Sequence, residues 1–297
     1  MNLKIPILLA IALIMGGCGI MNGSQDKDTK SLTSSVQDYN GQGFVYRDGS
    51  KTTEIVAANK KEISESAKNY MKLNYNQDVN INNVVPALGA AVVHVSSKDK
   101  LEYFTSVIVS LDTNETPPKL STTSQQYEVE KAIVSGLYHY AYAEEFKKVD
   151  SFAKEVTEKW DVVGLNEKAI EKTSSGGYVN PFYYISVSPN DFEDIYKKYM
   201  ENPSMSLVDV RGLFEEKHIN PEDLKLNISF RFFMSKKGAK ADKKVATEII
   251  QKLKSVTSFP VGSYAVFVYG NTIVNRDGMG EGSSVGTVPA VDDINIK

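Results

Sequence analysis

Cysteine is all but missing: the 297 residues hold a single one, Cys18. No disulfide can form within the chain, so a buried core must hold the fold. Imidazole is scarce as well, with His94, His139 and His218 the whole supply. The short motifs that carry a mechanism are absent, since there is no GxxxxGK[ST] phosphate loop, no HExxH pair and no GxSxG elbow. Basic residues are not in excess, and a net charge of −3 argues against a nucleic-acid partner. No internal repeat and no regular βαβα beat organises the chain, which leaves no reason to expect a solenoid or a doubly wound sheet.

The apolar run 5–15 is also too short, because a bilayer-crossing helix needs about 20 apolar residues. Lys4 stands before it, and Gly16 and Gly17 close it immediately ahead of Cys18. Charge in front and small residues behind are the marks of a cleaved secretory signal. The stretch Ile14, Met15, Gly16, Gly17, Cys18 resembles the lipobox of bacterial lipoproteins, with Met15 where those signals favour Leu. The expectation is a signal peptide over 1–17, cleavage between Gly17 and Cys18, and a lipidated Cys18 that anchors the chain to the membrane on its extracytoplasmic face. Two acyl chains on one cysteine suffice for stable anchoring. The mature chain then has 280 residues and a net charge of −4.

Residues 18–35 are small and polar (Asn22, Gly23, Ser24, Gln25, Asp26) and read as a flexible tether. Residues 277–297, with Gly278, Gly280, Gly282, Ser283 and Ser284, read as a disordered tail for the same reason. A globular domain remains over 36–276. Within it, Val56, Ile63, Ala67, Tyr70 and Met71 predict a helix over 52–73. Alternation over 90–95 and 102–111 predicts a hairpin turned by Lys98, Asp99 and Lys100. A long helical stripe opens near Thr122, where Thr122 and Gln125 fit a capping box, and runs to Trp160 with a break near Asp150 or Ser151. Ser188, Pro189, Asn190 and Asp191 predict a helix start, and a short helix is expected from Ser206 to about Glu216. A strand over 225–234, a helix over 239–254 and a strand over 261–269 suggest a crossover joining parallel strands. The fold class is α+β: mixed sheets with several packed helices in a single compact domain, division into two lobes left open.

Few residues stand out as chemistry. Glu215 and His218, at i, i+3, share a helix face in the way metal-binding bundles use, but no second such pair exists, so a charged helix end is the plainer reading. His94, between Val93 and Val95, points to the opposite face of its strand from them. Lys236, Lys237, Lys240, Lys243 and Lys244 form the one basic cluster, best read as a solvated helix start. Gly278, Gly280 and Gly282 lack the strand and helix that would frame a phosphate loop. Tyr138, Tyr140 and Tyr142 are spaced so that they cannot all be buried on one helix face, and at least one is expected at solvent or in a groove. They are the candidate ligand-binding residues, since tyrosine brings contact area at low entropic cost. No catalytic residue, metal site or cofactor is expected.

Val36, Gln37, Asp38, Tyr39, Gly41, Gln42 and Gly43, following the lipobox and tether, resemble the start of an uncharacterised family of Gram-positive lipoproteins, domain of unknown function 1672. The stretches 136–146 (GLYHYAYAEEF), 181–187 (PFYYISV) and 262–268 (GSYAVFV) are similar as well. The resemblance implies location and class but no activity. The expected role is a binding or interaction module at the cell envelope, with a cell-wall polymer or an envelope protein as partner. The alternatives are an envelope hydrolase with a site that follows no motif, built on His94, His139 or His218, and a structural envelope factor.

Overall fold

The structure is a computed structural model that describes residues 32–288 and 292–297. Gly17, Cys18 and the rest of the signal and most of the tether lie outside the described residues. In chain order the elements are β1 (Thr33–Ser35), α1 (Thr53–Ala58), α2 (Lys60–Tyr75), β2 (Val79–Ala87), β3 (Ala90–Ser97), β4 (Phe104–Asp112), β5 (Lys119–Thr123), α3 (Glu128–Ala141) and α4 (Ala143–Lys159). There follow β6 (Val162–Val163), α5 (Glu167–Thr173), β7 (Tyr183–Val187), α6 (Glu193–Glu201), α7 (Leu207–Glu216), β8 (Leu226–Met234), α8 (Lys243–Lys254), β9 (Gly262–Tyr269), β10 (Thr272–Val274), β11 (Met279–Gly280), β12 (Val285–Gly286) and β13 (Ile294–Ile296). The class is α+β, the described residues form one unit rather than two lobes, and no described helix is long and apolar enough to cross a membrane.

Two sheets and the helices between them make the core. β2, β3, β4 and β5 form an antiparallel meander. Its alternation puts Val93, Val95, Val107 and Val109 on the buried side. The second sheet runs β12, β9, β8, β6, with β7 also on β8 and β13 also on β9. Its central pair β8 and β9 is parallel, with α8 as the crossover between them, as the sequence implied. Phe230, Phe232, Tyr264 and Val266 face inward from this pair onto α4, whose stripe of Phe146, Val149, Phe152 and Val156 is buried. A smaller cluster of Val36, Tyr39, Ile170, Phe233 and Ile273 packs on the other face of the sheet, where alternation puts Phe233.

Several sequence expectations need correction. The tail is not disordered: β11 pairs with β10, and β12 and β13 with β9. The last three residues expected in the tether are ordered, because Thr33, Ser34 and Ser35 pair with β10. Thr122 caps no helix. It lies in β5, and its hydroxyl shares a 2.6 Å hydrogen bond with Ser66. The long helical stripe breaks at Tyr142, not near Asp150. At 188–191 the chain turns rather than starting a helix; α6 begins at Glu193 with no side-chain cap, and Asp191 accepts from Lys225 N–H instead. The capping box at Ser206 and Asp209 is present.

Ser135 ties helix to sheet. Buried within α3, its hydroxyl donates to Ile185 O on β7 at 2.8 Å and accepts from Tyr178 N–H at 2.8 Å. Gly177 comes so close that a Cβ there would sit 2.7 Å from this hydroxyl, and its φ of +116° also requires glycine. Ser135→Ala is expected to cost about 2 kcal/mol, because it leaves a buried donor and a buried acceptor unpaired at once. The urea unfolding midpoint measures it, and an unchanged midpoint would count against the linkage.

Candidate functional site

The tyrosines singled out by spacing do not form a surface. Tyr138 is fully buried, donates its hydroxyl to Val261 O, and packs at 4.7 Å from the Tyr142 ring and 5.1 Å from Phe214. Tyr142 is buried too, under the Arg211 guanidinium at 4.8 Å. Being four apart, the two share the core face of α3. Tyr140 turns away and is half-buried, with the Lys100 ammonium 4.9 Å from its ring.

The histidines are equally committed. His94 is buried between Tyr46 Oη, 3.0 Å from Nε2, and Ser174 O, 3.0 Å from Nδ1. His139 stacks on Tyr178 at 3.6 Å. His218 lies past the end of α7 at φ +48°, so it shares no helix face with Glu215. Among the described residues no group of three or more His, Cys, Asp or Glu is placed to hold a metal ion. The lysine cluster stays at solvent, with Lys237 on Asp38 at 2.8 Å and Lys244 on Glu248 at 3.9 Å.

A different tyrosine pair lines a small cleft. Tyr127 is the residue before α3, and Glu130 and Val134 share one face of that helix. They meet Pro189 and the Glu193, Tyr196, Lys197 face of α6 around a cavity of about 100 Å³. Tyr127 is 43% exposed and held at φ +60°, a left-handed conformation that costs energy in a residue with a large side chain.

Glu130 gives the cleft its charge. Oε1 accepts a long 3.5 Å hydrogen bond from Tyr75, which belongs to a fence of hydroxyls: Tyr75 and Tyr70 each share a hydrogen bond with Ser124, at 3.1 and 3.0 Å. Oε2 is buried and has no partner among the described residues. Burial, helped by the Glu130 charge, pushes the Tyr196 hydroxyl up to about 12, so it remains a neutral donor. At the rim Glu193 pairs with Lys197 at 2.7 Å and is largely neutralised. A carboxylate and two tyrosines lining one cavity favour an organic cation, which phenol rings and a charged acceptor both attract. A wider hollow of about 320 Å³ between α1 and the turn after β4 has no such unpaired group.

Tyr196 lies on α6 and Tyr127 immediately precedes α3, both within stretches of helical periodicity in the sequence. What it could not supply was Glu130 meeting a helix that begins more than sixty positions later.

The sequence profile of DUF1672, described as a protein of unknown function, matches residues 26–295. No curated protein matches the chain. Among solved structures, the crystal structure of a DUF1672 family protein from Staphylococcus aureus subsp. aureus Mu50 is similar, with a TM-score of 0.70 at 17% identity over 88% of this chain and 100% of that one.

Proposed function

The chain belongs to DUF1672, a family of proteins of unknown function, and on that footing we propose that it is a lipid-anchored binding module on the extracytoplasmic face of the cell membrane. The N-terminal pattern from Lys4 to Cys18 supports the anchor. The contact point is the cleft between α3 and α6, and its partner is an envelope protein or cell-wall polymer that presents an ammonium group. The buried, unpaired Oε2 of Glu130 beside Tyr127 and Tyr196 carries this reading.

Two measurements test it. Cys18→Ala should move the expressed chain from the membrane fraction to the soluble fraction, and unchanged membrane association would sink the anchor. In an NMR titration, butylammonium should shift the amides of Tyr127, Glu130 and Tyr196 saturably, whereas the neutral butanol should not. Glu130→Gln should weaken the response about tenfold, as expected when a charge-assisted hydrogen bond becomes neutral. Equal responses to the two probes, or none to either, would overturn the cleft assignment.

A further inference from the structure

The face of the second sheet turned away from the main core carries a cation that no carboxylate among the described residues answers. Arg231 lies mid-way along β8, where its Cα partner on β9 is Phe267 and its N–H donates to Phe182 O at 2.7 Å. Side chains alternate along a strand, so Phe230 and Phe232 enter the main core while Ser229, Arg231 and Phe233 lie on the other face, where Phe233 is covered by the smaller cluster. Register adds Ala265 and Phe267 of β9 and Tyr184 of β7 to that outward face. The face has relief. Ser229 and Ala265 are each 6% exposed and form a sunken floor, while Tyr184, Arg231 and Phe267 stand around it half-buried.

The guanidinium makes no ion pair with any described carboxylate, and its Nε is buried without an acceptor. Neighbouring donors are free in the same sense. The hydroxyls of Ser229, Tyr184 and Tyr269 make no hydrogen bond within the described residues. Burial disfavours the Arg231 charge, and the nearby Tyr184 and Tyr269 phenols oppose that only in part. Arginine nonetheless stays protonated, so a fixed positive charge and the hydroxyls of Ser229 and Tyr184 share this face, and no carboxylate among the described residues pairs with the guanidinium. What completes such a face is an anion.

The geometry points to an oxyanion site on this face, with Arg231 as its anchor and a phosphate group as its occupant. A carboxylate offers two oxygens in one plane, whereas a phosphate presents oxygens in several directions. Here the donors sit on two strands, Arg231 and Ser229 on β8 and Tyr184 on β7 opposite Ser229. The planar fork of arginine suits two of the phosphate oxygens at once. This site is independent of the cleft between α3 and α6 and of the cation proposed there.

The test follows the Nε–H resonances of the four arginines, Arg47, Arg211, Arg231 and Arg276, in the full chain, with Arg231→Lys assigning the signal in question. Inorganic phosphate should shift the Arg231 resonance saturably and leave Arg47 and Arg276 unmoved. Arg231→Met and Tyr184→Phe should each weaken phosphate binding, the first about tenfold or more because a charged partner is lost. Glu130→Gln should leave it unchanged. Glycerol 3-phosphate and dimethyl phosphate then separate a phosphate monoester from a diester, and a saturable response to either sustains the site. Should Arg231→Met fail to fold, the wild-type titration decides by itself. A resonance that none of the three probes moves, or one that moves in step with Arg47 and Arg276, overturns the proposal.

Discussion

Between pH 6.5 and about 4 the folded domain should lose about 3 kcal/mol of stability through one side chain, His139. Its ring lies on Tyr178 at 3.6 Å and 4.9 Å from Phe146, and burial lowers its pKa from 6.5 to about 4. The folded state therefore resists the proton that the unfolded chain takes up readily. Below pH 6.5 the unfolded chain binds more protons, so stability present above that pH drains away as the pH falls, and the loss levels off below about 4. The slope approaches about 1.4 kcal/mol per pH unit in the middle of the window. His94 acts in the same direction, since burial lowers its pKa too. Asp150 acts in the opposite one: burial raises its carboxyl pKa, against the hydrogen bond from Tyr183, so protonating it favours the folded state. Urea midpoints taken across this range for the wild type and His139→Phe give the answer. The variant should lose most of the slope, and two parallel curves would refute the assignment.

A chain ended after Arg276 should lose about 5 kcal/mol, from several ladder hydrogen bonds at about 1 kcal/mol each and one buried isoleucine. Composition alone would make that truncation harmless. In the structure β12 sets Val285 against Val268 and Gly286 against Phe267, and β13 sets Ile294 against Tyr264 and Ile296 against Gly262. Ile296 is buried, Thr287 Oγ1 accepts from Val266 N–H at 3.1 Å, and Asn295 Oδ1 accepts from the Ser263 hydroxyl at 2.7 Å. Removing these segments leaves one edge of β9 bare, and an exposed edge strand invites aggregation. Against a total stability of about 5–15 kcal/mol, that loss takes a large part of the fold. Gly286→Val is the single-residue counterpart: its φ is +153°, and a Cβ there would lie 1.9 Å from Val266 O. Thermal melting of the truncated and full chains decides the matter, and coincident melts would show that β12 and β13 contribute nothing.

What could be read from the sequence was what neighbours in the chain determine. The hairpin of β3 and β4, the short helix opening at Ser206 and the strand over 225–234 all follow from residues a few positions apart. The tail was misread because its few apolar residues, Val285, Ile294 and Ile296, become useful only against β9, some twenty to thirty positions earlier. Tyr138 and Tyr142 carried the right spacing for a shared face, but whether that face meets solvent or Phe214 depends on α7, seventy positions away. The cleft and the Arg231 face share this difficulty in a sharper form. Their defining property is a missing partner, the unanswered Oε2 of Glu130 and Nε of Arg231, and no local pattern reveals that a partner has failed to arrive.

The pairing of β1 with β10 also sets how the domain takes a mechanical load. Tension entering from the N-terminal side first meets three paired positions, Thr33 on Val274, Ser34 on Ile273 and Ser35 on Thr272. Behind them stand the bond from Val36 N–H to Asn271 O at 2.8 Å and the bond from the Gln37 amide to Ser235 O at 2.6 Å. The buried ring of Tyr39, whose hydroxyl donates to Asn275 O at 3.1 Å, follows. A pull from that side therefore loads a short strand and an aromatic latch together, and both bear on the residues that follow β8 and β9, Ser235 and Asn271.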